Sequence, residues 1–452
     1  MKVKAAIFIL LMRSATAICA EAVTVDEFIA EAVKKDTAFE SILVDELKLK
    51  YGRTLALPAR DLIVSLKGQY DLYESQNRDE GSYSLSLSKL FPESGSSLTG
   101  TYTTASSSVS YDNSSSFTFV FSQPIAQNAF GRQTRLLGKI TDIAADLARY
   151  QIVEAYEDYL AAVFKQYYDW YQSYQELKIA ESSYKENTKL LDNIKQRQKN
   201  SIALAVDVNK IEIQVLAKKE KLVELQNEYD QNLAQIKKIL RYDQRQDIAP
   251  VEPGLYALVP QYMPSDYAVR TVKTLTLMKK SSALNVDYAA EDLLPSVELF
   301  AAYNVSGTHN DIRNELNKVY AGVKIDLSLT DSVDRAEYDV AMINDRKTGL
   351  SVDSISAQLK TDIEKLFSQI KSEEMLLSIA ASKVRLAEDV LKDETENYSY
   401  GKISLNDYIS AVNLLDANRF SQQLHSTELR RLIIEWLRIT DTLVVETPHA
   451  VG

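Results

Sequence analysis

The segment SSFTFVFSQPIAQNAFGRQTR, Ser115 to Arg135, decides how the rest of the chain is read. Phe117, Phe119 and Phe121 alternate with Thr118, Val120 and Ser122, the period of a strand with one apolar face. Pro124 ends the run, and Gly131 closes a short turn. A helical pattern follows to Asn200 with no proline and one further glycine, Gly138. Leu136, Ile140, Ile143 and Leu147 recur at spacings of three and four, as do Leu160, Phe164, Tyr167 and Tyr171. Such a helix would be roughly 100 Å long, which signals a coiled coil or a helical barrel and not an ordinary globular helix.

Working outward, the amino-terminal side carries a helix and more strands. Thr24 with Glu27 three residues on forms a capping box. The helix is expected to reach Leu57, with a break near Asp36, and Pro58 stops it. Alternation then predicts strands over Asp61–Asp71, Ser82–Leu90, Leu98–Ser110 and Ser115–Gln123, with turns around Pro92 and Asp112. The weak two-residue period suits strands of a membrane barrel, with a soluble sheet having one wet face as the alternative. The serine- and threonine-rich middle pair is left open, as barrel wall or as an extension outside the membrane.

On the carboxyl side a second helix is expected over 205–240. Pro250, Pro253, Pro260 and Pro264 then mark an irregular linker, 241–265. The pattern repeats: a helix from Asp266 to Asp292, Pro295, and strands at Val297–Val305 and Val319–Leu329. A long helix follows from Asp334 to Tyr398, then a turn at Tyr400–Lys402 and a last helix from Asn406 to Leu443. The chain therefore reads as repeat one (23–240), the linker, repeat two (266–443) and a tail (444–452). In each half the two shorter helices together match the long one, so they could stack end to end along it.

Lys2, Lys4, the apolar run Ala5–Met12 and the small residues up to Ala22 read as a secretory signal over 1–22, with Ala15–Ala17 as a second cleavage pattern. The single cysteine, Cys19, falls inside it, so neither disulfides nor thiol chemistry is expected in the mature chain. A net charge of −11 argues against a nucleic-acid partner. Nothing after the leader is long and apolar enough for a helical span. One chain holds four to six strand candidates, whereas a membrane barrel needs about eight or more and tolerates no free edge. A barrel of this sequence must be shared between copies.

These features resemble the TolC-like outer membrane factor family over nearly all of the mature chain. Gln123, Pro124, Ile125, Phe130 and Gly131 resemble that family's strand-to-helix passage. Tyr398, Gly401, Ser404, Asp407, Ile409 and Ala411 resemble its second tip motif, and Ser201 to Asp207 is the first-half counterpart. Ser201 stands where a tip glycine is usual, and the second passage lacks Gln-Pro and glycine.

The resemblance implies a mixed α/β membrane protein: a long α-helical periplasmic barrel joined to a shared transmembrane β-barrel. It implies a homotrimer in the outer membrane of a Gram-negative bacterium, with four strands per protomer and twelve in all. It further implies a passive exit duct that works with a periplasmic adaptor protein and an inner membrane transporter, in efflux or type I secretion. The tip turns (Ser201, Asp207, Gly401, Lys402, Ser404) would dock the adaptor. Asp407 would form an acidic ring at the periplasmic aperture, with Tyr398 as a latch residue. Ile403 stands where some members have an arginine, so apolar packing of Ile403 against a neighbour is expected in place of a salt-bridge latch. Read locally, Ser404 and Asp407 simply start a helix.

No enzyme is expected. The chain has no nucleophile elbow, no phosphate-binding loop and no zinc-protease motif. SLSK, Ser86 to Lys89, matches a Ser-x-x-Lys pattern without its partner motifs. His309, His425 and His449 are scattered, and no metal or cofactor is expected. The competing functions are an exported structural or adhesive coiled-coil trimer that conducts nothing, and a soluble periplasmic adaptor.

Overall fold

The computed structural model describes residues 21–58, 61–74, 78–107, 114–201, 203–243, 245–261, 269–308, 316–327 and 331–444. The residues before Glu21, among them Cys19 and most of the expected signal, the turn at Asp112, His309, His449 and the residues beyond Val444 lie outside them. The chain forms two compact units. One comprises the chain up to Ile42, Ala155–Ser265 and Asp362–Glu446, and the other comprises Leu43–Glu154 and Asp266–Thr361.

The elements in order are β1 (Glu21–Val23), α1 (Val25–Lys35), α2 (Thr37–Ala56), β2 (Leu62–Tyr73), β3 (Arg78–Phe91), β4 (Ser96–Ser107) and β5 (Ser114–Pro124). There follow α3 (Arg132–Lys199), α4 (Ala205–Leu240), β6 (Ile248–Pro250), α5 (Arg270–Asp292), β7 (Ser296–Thr308), β8 (Leu316–Asp326), α6 (Ser332–Ser399) and α7 (Leu405–Ile439). The long helices α3 and α6 each have 68 residues and supply both units. Thr24 caps α1 as its sequence predicts: its hydroxyl accepts from Glu27 N–H at 3.3 Å, and Glu27 accepts from Thr24 N–H at 2.9 Å. Asp36 has extended backbone and divides α1 from α2.

Glu21 to Val23, which overlap the signal expected over 1–22, form β1, which pairs in parallel with β6. The cleavage pattern ending at Ala17 would keep that strand, whereas cleavage after Ala22 would remove most of it. The linker is not wholly irregular, because it contains β6. These short strands persist because Ile248 is fully buried and the Tyr167 hydroxyl reaches the carbonyls of Val23 (2.7 Å) and Val251 (2.8 Å). The last helix ends at Ile439, four residues early: the Thr440 hydroxyl turns back onto the Trp436 carbonyl at 2.7 Å, and Asp441 has a φ of 56°.

The helical unit packs on an aromatic centre. Phe28 of α1 and Phe164, Tyr167 and Trp170 of α3 are all at most 1% exposed. Tyr167 and Trp170 meet edge to face with centroids 5.7 Å apart. Ion pairs then tie α3 to α7, Lys165 to Glu435 at 3.0 Å and Arg438 to Asp158 at 2.8 Å.

The sheet unit holds six antiparallel strands in the order β2-β3-β4-β5-β7-β8. The sheet is open, with β2 and β8 as edges. All six expected strands are present, two more than the four the resemblance implies. Registers sort their side chains into two faces. On one face Val64, Leu87 and Gly100 stand in line with Phe119 and Tyr303, and Val319 follows. On the other face Ser65, Ser86, Thr101 and Thr118 line up across β2 to β5 and continue to Asn304 and Lys318. Gly100 leaves room that Phe117 and Phe119 fill from β5. Among the described residues no helix is long and apolar enough to cross a membrane.

Candidate functional site

Two groups of residues carry the site expected from the sequence, one in each unit. In the sheet unit the passage from β5 to α3 is built around Gly131. The Gln123 side-chain amide donates to the carbonyls of Ser94 (2.9 Å) and Pro124 (3.0 Å), fixing the end of β5 to the β3–β4 turn. Gly131 has a φ of 75°, and a Cβ there would lie 2.5 Å from the Glu93 carbonyl oxygen. Arg135 donates to the same carbonyl at 3.0 Å. Asp292, at the end of α5, accepts from Gln127 (3.0 Å) and Gln133 (2.6 Å), while Arg132 pairs with Glu291 at 3.1 Å. Gln123, Pro124 and Gly131 are therefore brought together, and their partner is the turn of the hairpin whose role the sequence left open.

In the helical unit the two tip turns are built alike. Gly401 ends α6 with a φ of 69°, and the Lys402 N–H reaches back to the Asn397 carbonyl at 2.9 Å. Ser404 then starts α7. Its hydroxyl accepts from Asp407 N–H at 3.3 Å, while the Asp407 carboxylate accepts from the Ser404 hydroxyl (2.7 Å) and N–H (3.1 Å). Those bonds, the hydroxyl first, hold the exposed Asp407 carboxyl below the usual carboxylate range.

In the first turn Ser201 takes the glycine's place at a φ of 57°. Asp207 accepts from Leu204 N–H at 3.3 Å, but Leu204 offers no side-chain acceptor in return, so this box is half made. Leu204→Ser is expected to complete it and stabilise the protein by ~0.5–1 kcal/mol. A rise in the thermal midpoint would show the gain, and a fall would show that exposed Leu204 has another role.

The tips of the two helical hairpins meet. Leu405 is buried with Leu191, Ile194, Val208 and Ile211, and Tyr398 and Ile409 pack against that cluster. The Tyr398 ring stacks on Tyr408 with centroids 5.3 Å apart, and the Arg197 guanidinium lies 5.2 Å from the Tyr398 ring centre. Lys402 lies over Tyr400, and Ile403 is half-buried. Sequence reasoning selected Tyr398 but missed Arg197 and Tyr408. For Tyr408 the available signal was an aromatic residue one position after Asp407, in the first turn of the helix that Ser404 starts. For Arg197 there was none, because α3 and α6 meet only in the tertiary fold.

Higher in the same unit, Asp416 of α7 is buried. It takes the Ser183 hydroxyl of α3 and the Lys218 ammonium of α4, the latter at 2.7 Å. Gln214 of α4 donates to Asn413 of α7 at 2.7 Å. No group of three or more histidine, cysteine or acidic side chains that could hold a metal occurs among the described residues.

No protein-family model matches the chain. No curated protein matches it either. Solved structures do. The chain is similar to the CmeC outer membrane channel of Campylobacter jejuni at 11% identity, over 94% of this chain and 87% of that one, with a TM-score of 0.72. It is similar to the outer membrane protein VceC of Vibrio cholerae at 11% identity, over 92% and 95%, with a TM-score of 0.69. The open state of the Neisseria gonorrhoeae MtrE outer membrane channel aligns at 11% identity, over 93% and 89%, with a TM-score of 0.69.

Proposed function

From the fold of TolC-like outer membrane channels, which this chain has across nine-tenths of its length, we propose that it is one subunit of an outer membrane channel-tunnel. Three copies would join their sheets into a barrel and their helices into a periplasmic conduit. The conduit would give passive exit to the cargo of an inner membrane transporter and its adaptor, in an efflux pump or a type I secretion system. The observation that carries this reading is the two-faced sheet. Most of its exposed apolar residues lie on one side, among them Leu66 at 78% and Val319 at 79%, while the opposite side is mostly hydroxyl-bearing and charged, with Ile63, Val120 and Phe300 as apolar members. Such a sheet is stable with lipid on one face and water on the other, and its edges must find partners there. A non-conducting adhesive trimer has no use for this arrangement.

The reading is tested by mass measurement of the detergent-purified protein and by planar-bilayer recording. Three copies and stepwise conductance are expected. A stable monomer in water without detergent would overturn it.

Within this reading the tip turns Ser201–Asp207 and Gly401–Asp407 form the periplasmic mouth and the adaptor contact. Asp407, exposed and ionised, supplies one carboxylate per copy to an acidic ring, while Arg197, Tyr398 and Tyr408 hold the two helical hairpins of one copy together. Cations relieve repulsion among three close carboxylates, so trivalent cations are expected to block the channel. Asp407→Asn is expected to weaken both the block and the cation preference. The reversal potential under a salt gradient measures this for both proteins, and identical potentials with identical block would leave Asp407 only its bonds to Ser404.

A further inference from the structure

The strand count in the sheet points to a different barrel from the one the resemblance implies. Twelve strands in a trimer require four per copy, with the β3–β4 hairpin left outside the wall and β2 beside β5. The structure has neither feature. β2 pairs with β3 along Leu62–Tyr73, β3 pairs with β4 along Glu80–Phe91, and β4 pairs with β5 along Ser97–Ala105. The hairpin therefore stands between β2 and β5 along its whole length.

Three further observations place the hairpin in the wall. First, the apolar face continues through it, carried by Tyr83, Leu85 and Leu87 of β3 and by Leu98 and Tyr102 of β4, with Gly100 between the latter two. Tyr83, Leu85 and Leu87 of β3 lie between Gly68, Leu66 and Val64 of β2 and Thr104, Tyr102 and Gly100 of β4. Leu85 and Leu87 are exposed to about the same degree as Phe119 and Phe121 of β5. A hairpin standing in water would have no reason to keep leucines on the side that continues the lipid-facing band.

Second, on the opposite side of the hairpin Ser84, Ser86 and Ser88 face Thr103, Thr101 and Thr99, with Ser82 and Glu80 farther along β3. This polar, largely hydroxyl-bearing surface suits a water-filled lumen. Third, the hairpin is pinned at its base. Its turn supplies the Pro92 and Glu93 carbonyls against Gly131 and the Ser94 carbonyl to Gln123. The turn thus sits at the same level as the strand-to-helix passage.

The partner for the edges is a second copy of this chain. Six alternating strands leave β2 and β8 antiparallel to each other, so β8 of one copy can pair with β2 of the next in antiparallel fashion. The edges match in length, Leu62–Tyr73 against Leu316–Asp326, and both carry the exposed apolar band. Resting on the proposed channel function, we infer that the membrane barrel closes from three copies with all six strands of each, giving eighteen strands. Barrel diameter grows roughly in proportion to strand number, so this barrel is about 1.5 times as wide as a twelve-stranded one. Three hydroxyl-lined hairpins, one from each copy, account for the added lumen wall, which would pass bulkier cargo through the membrane than a twelve-stranded exit.

Single spin-labelled cysteines in the full-length protein, reconstituted in lipid vesicles, test the wall. Leu85→Cys and Leu87→Cys are expected to collide with dissolved oxygen and be shielded from a water-soluble nickel chelate, and Ser84→Cys and Ser86→Cys to show the reverse. Phe119→Cys and Thr118→Cys on β5 serve as the reference pair. If β5 alternates while all four β3 labels meet the chelate, the hairpin lies outside the membrane, and the inference falls while the channel reading stands. If β5 fails to alternate as well, both fall. Electron-microscope averages of the native trimer viewed down its axis decide independently of any variant: eighteen strands support the inference and twelve overturn it.

Discussion

Gly131→Ala is expected to destabilise the protein by roughly 3–5 kcal/mol, which is large for a change of one methyl group. Two costs add. Alanine at a φ of 75° occupies the left-handed region, which costs about 1–2 kcal/mol. Its Cβ would also lie 2.5 Å from the Glu93 carbonyl oxygen and 2.8 Å from that of Pro92. Those are backbone atoms of a tight turn already held by Gln123 and Arg135, so relief requires moving the β3–β4 turn away from the passage. The matched control is Gly138→Ala, seven residues on. There the added Cβ meets nothing within 4 Å, and the site is interior to α3, so a gain of about 0.5–1 kcal/mol is expected. Thermal midpoints of the purified proteins should therefore move in opposite directions. A loss at both positions, or at neither, would show that the turn does not press on Gly131.

The second large effect is expected at Asp416, where three helices of one unit are tied together. Asp416→Ala removes a buried carboxylate and leaves the Lys218 ammonium, 18% exposed, without its partner, and the Ser183 hydroxyl without its acceptor. An uncompensated buried charge costs about 3 kcal/mol or more. Replacing both charged groups by apolar ones, Asp416→Leu with Lys218→Met, should cost less than ~1 kcal/mol, because each charge also had to be desolvated on folding. Denaturant midpoints of Asp416→Leu, Lys218→Met and the double variant measure the coupling. If the double variant is as unstable as Asp416→Ala, the contribution lies in the shape of the carboxylate and its bond to Ser183, and not in the ion pair.

Both sites show where a linear sequence stops being informative. Gly131 was marked by its place after Gln123-Pro124, and the strand before it by the alternation of three phenylalanines. Nothing in the sequence named the Glu93 carbonyl as the atom that excludes a side chain. Asp416 and Lys218 are 198 residues apart, and each alone looks like an ordinary solvated charge on a helix.

What the sequence determined by itself was every element governed by nearest neighbours. Thr24 with Glu27 and Ser404 with Asp407 wrote their capping boxes within four residues, and Asp36 marked the break between α1 and α2. The periods of two and of three-to-four located all six strands and the long helices, because those periods reflect one apolar face per element.

Only the tertiary structure placed the β3–β4 hairpin between β2 and β5. Its period was faint in β4 because Gly100 stands in the apolar band, and the gap is filled from β5 by Phe117 and Phe119. A band completed by side chains of a neighbouring strand cannot be read along one strand. The same holds for β1 and β6, three residues each and more than two hundred apart, which exist because Tyr167 and the buried aromatic centre hold them. It holds also for Arg197 over Tyr398, whose attraction arises only once separate hairpins have packed. Local hydrogen bonds and side-chain period are set by residues close in the chain, whereas burial, ion pairing and strand neighbours depend on which distant segments the fold brings into contact.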